Sequence, residues 1–459
     1  MFENNIMLLT DSYKLTHWKQ YPKGTEVVYS YLESRGGEFD KTLFFGLQYI
    51  IKKYLAGKVV TQKKIDEAEK FVEAHLGDKT LFNREGWEYI LNECNGRIPI
   101  KIRAVPEGTI VDVHNVLITV ENTDPKCYWL TNYIETLLVE VWYPITVATL
   151  SYNIKKIIQE YLEETGDTSG LLYKLHDFGF RGVSSVESAG IGGCAHLVNF
   201  RGSDTIEAMV IAKNYYGCNM AGTSIPASEH STITSWGREN EDKAMENMLD
   251  QYPTGLVACV SDSFDIYNAC RNIWGKKLKQ KILARKGTLI IRPDSGNPLI
   301  VIPECLNILG ARFGTTVNSK GYLVLDPHVR MIQGDGVDIT SIPKILMAMK
   351  DLGWSADNIA FGSGGALLQK MNRDTQKFAF KCSAIKINGV WQDVYKEPIT
   401  DAGKNSKRGL LALVYLNDKK YYTVDPNSII GSLNILQDVF INGELVNETT
   451  LDEVRKRAI

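Results

Sequence analysis

The chain has 459 residues, 44% of them apolar and 23% charged, close to the globular average, which excludes disordered, collagen-like and disulfide-scaffold classes. Its 52 Lys+Arg against 54 Asp+Glu leave a formal charge of −2, so neither a broad nucleic-acid surface nor an anionic-membrane surface is expected. At roughly 150 residues per domain, the length predicts two to three domains, or one barrel with additions.

The chain opens on Phe2, Glu3 and two Asn, without the basic segment and apolar core of a secretory signal. No run reaches the ~18 apolar residues of a membrane helix. The eight cysteines are scattered with no C-x-x-C pair, and read as reduced structural thiols of a cytoplasmic protein. Residues 1–145 mix strands, such as Val27 to Leu32 and Ile98 to Arg103, with helices expected around 47–55, 62–75 and 127–141. Near the start, Thr10-Asp11-Ser12-Tyr13-Lys14 reads as a helix beginning with Asp11 or Ser12 as its cap. Ser34-Arg35-Gly36-Gly37 follows as a polar loop.

From residue 146 to 377 one pattern recurs: a short apolar run, a loop of Gly, Asp, Arg or Ser, then a helix-like segment. The runs are Tyr173 to Asp177, Leu197 to Phe200, Ser224 to Pro226, Leu256 to Val260, Thr288 to Ile291, Val329 to Ile332 and Asn358 to Phe361. Continuous apolar strands alternating with helices predict a parallel sheet covered on both faces. The functional residue types fall only in the loops after the runs, as on the carboxyl rim of a barrel. The fold expected is therefore α/β: an irregular parallel barrel of about seven strands. A discontinuous α+β flanking domain would be made of residues 1–145 and 378–459, the latter with Asn-Gly hairpin turns at 388–389 and 442–443.

Several motifs carry chemistry. Gly190-Ile191-Gly192-Gly193-Cys194-Ala195 matches G-x-G-x-x-A, but it follows a polar helix-like stretch instead of a strand, so it reads as small residues for helix packing. The loops Gln333-Gly334-Asp335-Gly336 and Gly362-Ser363-Gly364-Gly365 suit phosphate, since clustered glycines let backbone N–H groups approach an oxyanion. In Arg292-Pro293-Asp294-Ser295-Gly296-Asn297-Pro298, Arg292 suits a phosphate or an aromatic face, and Asp294 suits a hydroxyl or metal-bound water. A surface salt bridge is the plain alternative. His230, at a strand end with Asp262 and Asp294 on the following rims, reads as an activated imidazole: a carboxylate on one ring nitrogen fixes the tautomer and strengthens the other as a nucleophile. Arg373, Lys377, Lys381, Lys396, Lys404, Lys407 and Arg408 form either a solvated face or a polyphosphate cluster.

These motifs, with Lys174 to Gly179, Arg181-Gly182, Glu229 to Thr232 and Ser261-Asp262-Ser263, resemble the nicotinamide phosphoribosyltransferases of the type II phosphoribosyltransferase class, in order from about residue 8 to the end. The resemblance implies an irregular α/β barrel and the reaction of nicotinamide with phosphoribosyl pyrophosphate to give nicotinamide mononucleotide and pyrophosphate. It implies Mg²⁺, and ATP as co-substrate coupled through a phosphohistidine at His230. Asp262 and Asp294 would orient that histidine and hold Mg²⁺–pyrophosphate or ribose hydroxyls. Phe178 would stack on the pyridine ring, with Tyr13 of the other subunit of a homodimer covering the opposite face, and Asp11 would be a further substrate-binding residue. Arg181, Arg292, Gly334, Asp335, Gly364 and Gly365 match nucleotide binders, and Arg35, Arg373, Lys381, Lys396 and Lys404 match polyphosphate contacts. The chain departs from the animal enzymes at Ala379, where a Ser is expected, and in the short segment after Arg35. Asp204, accepting from the carboxamide and repelling a carboxylate, would favour nicotinamide over nicotinate. The competing readings are a nicotinate or quinolinate phosphoribosyltransferase and a non-catalytic nucleotide-binding protein.

Overall fold

The structure, a computed structural model, describes residues 4–430 and 433–459. The chain divides into two compact units: Met1–Thr149 with Asn214–Gly217 and Met371–Ile459, and Leu150–Lys213 with Cys218–Lys370. Each has its own sheet.

The first unit is organised by a seven-stranded antiparallel sheet drawn from both ends of the chain. Its order is Val390–Asp393, Phe378–Ile387, Thr25–Ser34, Val116–Asn122, Ile100–Ala104, Gln437–Ile441 and Glu444–Leu445. Thr25–Ser34 lies inside the sheet and is buried on both faces, which explains its nearly unbroken apolar and aromatic run. Both Asn-Gly pairs close two-residue hairpins, with Asn388 and Gly389 at φ 46° and 82° and Asn442 and Gly443 at 50° and 87°, the positive values such turns need.

The helices of this unit follow their caps. Gln62–Leu76 starts on Thr61, whose side chain accepts from the Lys64 N–H, and stops at Gly77 in the left-handed region. The single helix expected at 127–141 is instead broken into Pro125–Cys127, Leu130–Tyr133 and Glu135–Val139. At the second break the Tyr133 carbonyl accepts from the Thr10 hydroxyl at 2.7 Å. Asp11 occupies the cap position of Ser12–Lys19, but its side chain makes no capping bond. It accepts from Thr136 Oγ1 at 2.7 Å instead.

The second unit carries a curled parallel sheet of an α/β fold. Its order is Gly202–Ser203, Leu175–Asp177, Ile359–Ser363, Val329–Gln333, Leu289–Arg292, Val257–Val260. Six strands, not seven, make the regular ladder. The run Leu197 to Phe200 is no strand: it continues from helix Val186–His196 as turns, with Asn199 and Phe200 N–H groups bonded to the His196 carbonyl, and the strand begins only at Gly202. The run Ser224 to Pro226 joins by isolated parallel bridges, Gly202 with Thr223 and Ala227 with Ala258. Pro226 has no N–H to add to a ladder, though its carbonyl still accepts from Ala258 at 2.9 Å. The G-x-G-x-x-A run lies inside Val186–His196, buried from Ala189 onward. A Cβ on Gly193 would come within 2.7 Å of Ala208 Cβ, so close packing explains that glycine.

All eight cysteines are free, and Cys127, Cys194, Cys259, Cys270 and Cys305 are buried. Among the described residues no helix is long and apolar enough to cross a membrane.

Candidate active site

The carboxyl ends of the parallel strands carry most of the singled-out residues. Val257–Val260 delivers Ser261-Asp262-Ser263, and Leu289–Arg292 delivers the Arg292 to Pro298 loop. There Gly296 takes φ 84°, and Asn297 caps the helix Pro298–Phe313 by accepting from the Leu299 N–H. His230 opens the short helix His230–Thr234.

The three loops meet at the imidazole. His230 Nε2 lies 3.0 Å from Asp262 Oδ1, and Nδ1 lies 3.8 Å from Asp294 Oδ2. The His230 side chain is 46% exposed and that of Asp262 only 4%, so the ring projects from a carboxylate floor toward solvent. Asp262 also accepts from Ser295 Oγ at 2.5 Å and the Asp294 N–H at 3.1 Å. Burial alone would raise its pKa, but the bonds from Ser295, His230 and the Asp294 N–H outweigh it and hold the carboxyl below the ordinary value. Asp262 is therefore an ionised acceptor, which favours a proton on the ring nitrogen facing it, Nε2.

Arg292, Asp294 and Phe178 surround Gly334. A Cβ there would sit 3.4 Å from Asp294 Oδ1, 3.5 Å from Phe178 Cε2 and 3.7 Å from Arg292 Cδ. The Phe178 ring rests on Gly362, where a Cβ would fall within 1.9 Å of it; only glycine admits the ring in this position. Gly364 and Gly365 back onto the Phe178 and Gly182 carbonyls, which brings them beside the loop of Arg181, an exposed residue. Gly365–Leu368 is a single helical turn, shorter than the helix expected after this loop, so its dipole adds little. Asp335 is exposed, and its carbonyl is clamped by Gln333 Nε2 at 2.7 Å. Arg292 Nε is buried and finds no hydrogen-bond partner among the described residues, an unmet donor suited to an anion.

A cavity of about 660 Å³ runs inside the parallel sheet and is lined at this end by His176, Phe178, Asp204, Ser224 and Arg292. Asp204 is exposed and accepts from Ser224 Oγ. Ser224 and Ser295 are contacts that motif reading gave no role: Ser295 sat within a quoted loop, and Ser224 only opened one of the apolar runs.

The remaining predicted residues belong to the other unit. Tyr13 is 61% exposed. Lys381 has its pKa lowered by burial, against the pull of Glu135, with Arg35, Lys396 and Arg373 adding like charge, so four of the five proposed polyphosphate contacts gather. Lys404 instead faces Asp401 at 3.4 Å. Of the wider basic run, Lys407 is paired with the buried Glu33 at 2.7 Å, and Arg408 lies over the Tyr395 ring. Among the described residues no three His, Cys, Asp or Glu side chains are arranged to hold a metal ion.

Comparison with known proteins decides the family. A profile described as the nicotinate phosphoribosyltransferase (NAPRTase) family matches residues 173–444, and one described as the nicotinamide phosphoribosyltransferase N-terminal domain matches residues 5–102. The chain is 51% identical to a nicotinamide phosphoribosyltransferase of Xanthomonas campestris pv. campestris, over 99% of this chain and 98% of that one. The chain belongs to the nicotinamide phosphoribosyltransferase family. A second member, from Acinetobacter baylyi, is 33% identical over 99% of this chain and 97% of its own. This family of pentosyltransferases shares its fold more widely. The nicotinate-nucleotide pyrophosphorylase of Pyrococcus furiosus superposes with a TM-score of 0.63 at 17% identity, covering 99% of this chain and 95% of that one. Human nicotinic acid phosphoribosyltransferase gives 0.58 at 16%, covering 98% and 93%.

Proposed function

We propose that the protein carries out its family's reaction in NAD salvage, forming nicotinamide mononucleotide and pyrophosphate from nicotinamide and phosphoribosyl pyrophosphate. The observation that carries this reading is Asp204 in the cavity wall with Phe178 and Arg292. The carboxylate accepts from a carboxamide N–H₂ and faces a like charge against nicotinate, a juxtaposition costing several kcal/mol. The pyridine nitrogen is already a nucleophile, so the site needs to orient it and not to deprotonate it. Phe178, fixed on Gly362, stacks on one face, a contact worth ~0.5–1.5 kcal/mol, and Tyr13 of a partner subunit, with Asp11 beside it, covers the other. The isolated bridges at 223 and 227 support residues 223–227 as the seventh segment closing the sheet into a barrel around this cavity.

Displacing pyrophosphate from the anomeric carbon builds positive charge on the ribose and negative charge on the leaving group. Arg292, with its unmet Nε, and Arg181 are placed for the phosphates. Gly334, Asp335, Gly364 and Gly365 supply backbone and a carboxylate for the ribose and its phosphate. Arg35, Arg373, Lys381 and Lys396 serve polyphosphate; Lys404 would have to leave Asp401 to join them. Without a three-ligand cluster, the donor set fits Mg²⁺ arriving on pyrophosphate and taking one or two carboxylates, Asp294 and Asp262, as this ion commonly does. When bound it would supply charge neutralisation at the leaving group.

His230 is the phosphoryl acceptor that couples ATP hydrolysis, through Nδ1, since Asp262 occupies Nε2. The test combines products and a variant. Incubation with nicotinamide, phosphoribosyl pyrophosphate, Mg²⁺ and ATP should yield the mononucleotide with ADP. His230→Ala should abolish nicotinamide-dependent ADP release while leaving weak mononucleotide formation; ADP release persisting in that variant would place the acceptor elsewhere.

A further inference from the structure

Asp177 ends the strand Leu175–Asp177 and is fully buried, yet its residue type suits neither a parallel strand nor an apolar core. Every acceptor it has is engaged. Oδ1 accepts the Gly179 N–H at 2.7 Å, and Oδ2 accepts the Ser203 hydroxyl at 3.4 Å. Its main-chain carbonyl accepts the Asp204 N–H at 2.9 Å. Ser203 Oγ in turn accepts the Thr205 N–H at 3.1 Å. The Gly179 bond alone would be an ordinary turn made by an Asp side chain. The bonds to 203 and 204 reach a different strand and a different loop.

Space for this carboxylate is bought with glycine. A Cβ on Gly193 would lie 2.9 Å from Asp177 Oδ2, and one on Gly179 would lie 3.0 Å from Oδ1, so the G-x-G-x-x-A run makes room for it. Burial, with the like charge of Asp204 adding to it and the bonds from Gly179, Thr205 and Ser203 only partly offsetting it, pushes the carboxyl up to about 6. Keeping an ionised group here therefore costs stability, which packing alone does not explain.

We propose that Asp177 is a positioning residue, tying the loop of Phe178 and Arg181 to the loop of Asp204 and so setting the gap between ring stacking and carboxamide recognition. The proposal rests on the roles assigned above to Phe178 and Asp204. The carboxylate does not touch substrate: it acts through the Gly179 amide on one side and through Ser203 and the Asp204 amide on the other.

Steady-state kinetics of Asp177→Ala, Asp177→Asn and Ser203→Ala, beside Phe178→Ala and Asp204→Ser, test it. Asp177→Ala should raise KM for nicotinamide about tenfold or more and lower the nicotinamide-over-nicotinate preference by a similar factor, with KM for phosphoribosyl pyrophosphate within about twofold. Asp177→Asn, whose Oδ1 can still accept from Gly179, should return both within about threefold of the parent. Ser203→Ala should show the same pattern in smaller degree, and it decides the matter if Asp177→Ala does not fold. If Phe178→Ala and Asp204→Ser shift KM and preference but the 177 and 203 variants alter only thermal stability or kcat, the positioning role is overturned. If Phe178→Ala and Asp204→Ser leave both unchanged, the loop roles themselves fail and the proposal falls with them.

Discussion

At the rim of the parallel sheet, Asp262 is met by three donors and holds the histidine it faces. Around Lys381 in the other unit, three further cations gather, and burial adds to their effect. The first arrangement is held by hydrogen bonds of the protein's own side chains and backbone, as the proposed reacting centre requires. The second gathers like charge that Glu135 and Glu33, the latter paired with Arg35 at 3.2 Å, offset only in part, and a bound polyanion would relieve the rest.

Removing a group from each region separates the two. Asp262→Ala should cut kcat/KM by roughly 10²–10³ and lower Tm, because it leaves the Ser295 hydroxyl and the Asp294 N–H without their acceptor. Its depressed pKa makes the carboxylate's contribution present above the unfolded value of 3.8 and lost as pH falls through the lower folded value. Wild type and variant should therefore converge in stability in acid. Lys381→Met should raise KM for phosphoribosyl pyrophosphate about tenfold, the scale of one charge-assisted hydrogen bond, while leaving Tm unchanged or higher. A fall in Tm as large as that of Asp262→Ala would erase the contrast.

The smallest effect concerns Asp177, a charge that is hydrogen-bonded yet held at a cost. Its folded pKa of about 6 lies above the ordinary 3.8, so its stabilising effect is complete below 3.8 and is lost as pH rises through 6. Relative to Asp177→Asn, wild type should lose roughly 1 kcal/mol of stability between pH 5 and pH 7. Denaturant unfolding of the pair at the two pH values measures this, and a constant difference would show that burial does not tax the carboxylate.

The rim was legible in the sequence because strand-then-loop periodicity puts Asp262, Arg292, Gly334 and Gly364 at equivalent places, whatever the details of the ladder. The ladder itself was less so. An apolar run such as Leu197 to Phe200 suits a helix end as well as a strand, and Pro226 hides a segment that pairs only through carbonyls and isolated bridges. The basic cluster was visible as composition, but not which lysines were already committed: Asp401 takes Lys404 at an i, i+3 spacing that the sequence itself offered, whereas Glu33 takes Lys407, and no spacing rule joins residues so far apart in the chain. Ser224 escaped for the same reason.

The most direct test of the account is the substrate preference of the purified protein and of Asp204→Ser, measured as kcat/KM for nicotinamide and nicotinate under identical conditions. A carboxylate at this position predicts a nicotinamide preference on the order of 10²–10³, lost in the serine variant. An unchanged preference in Asp204→Ser, or equal use of both substrates by the parent, would contradict it.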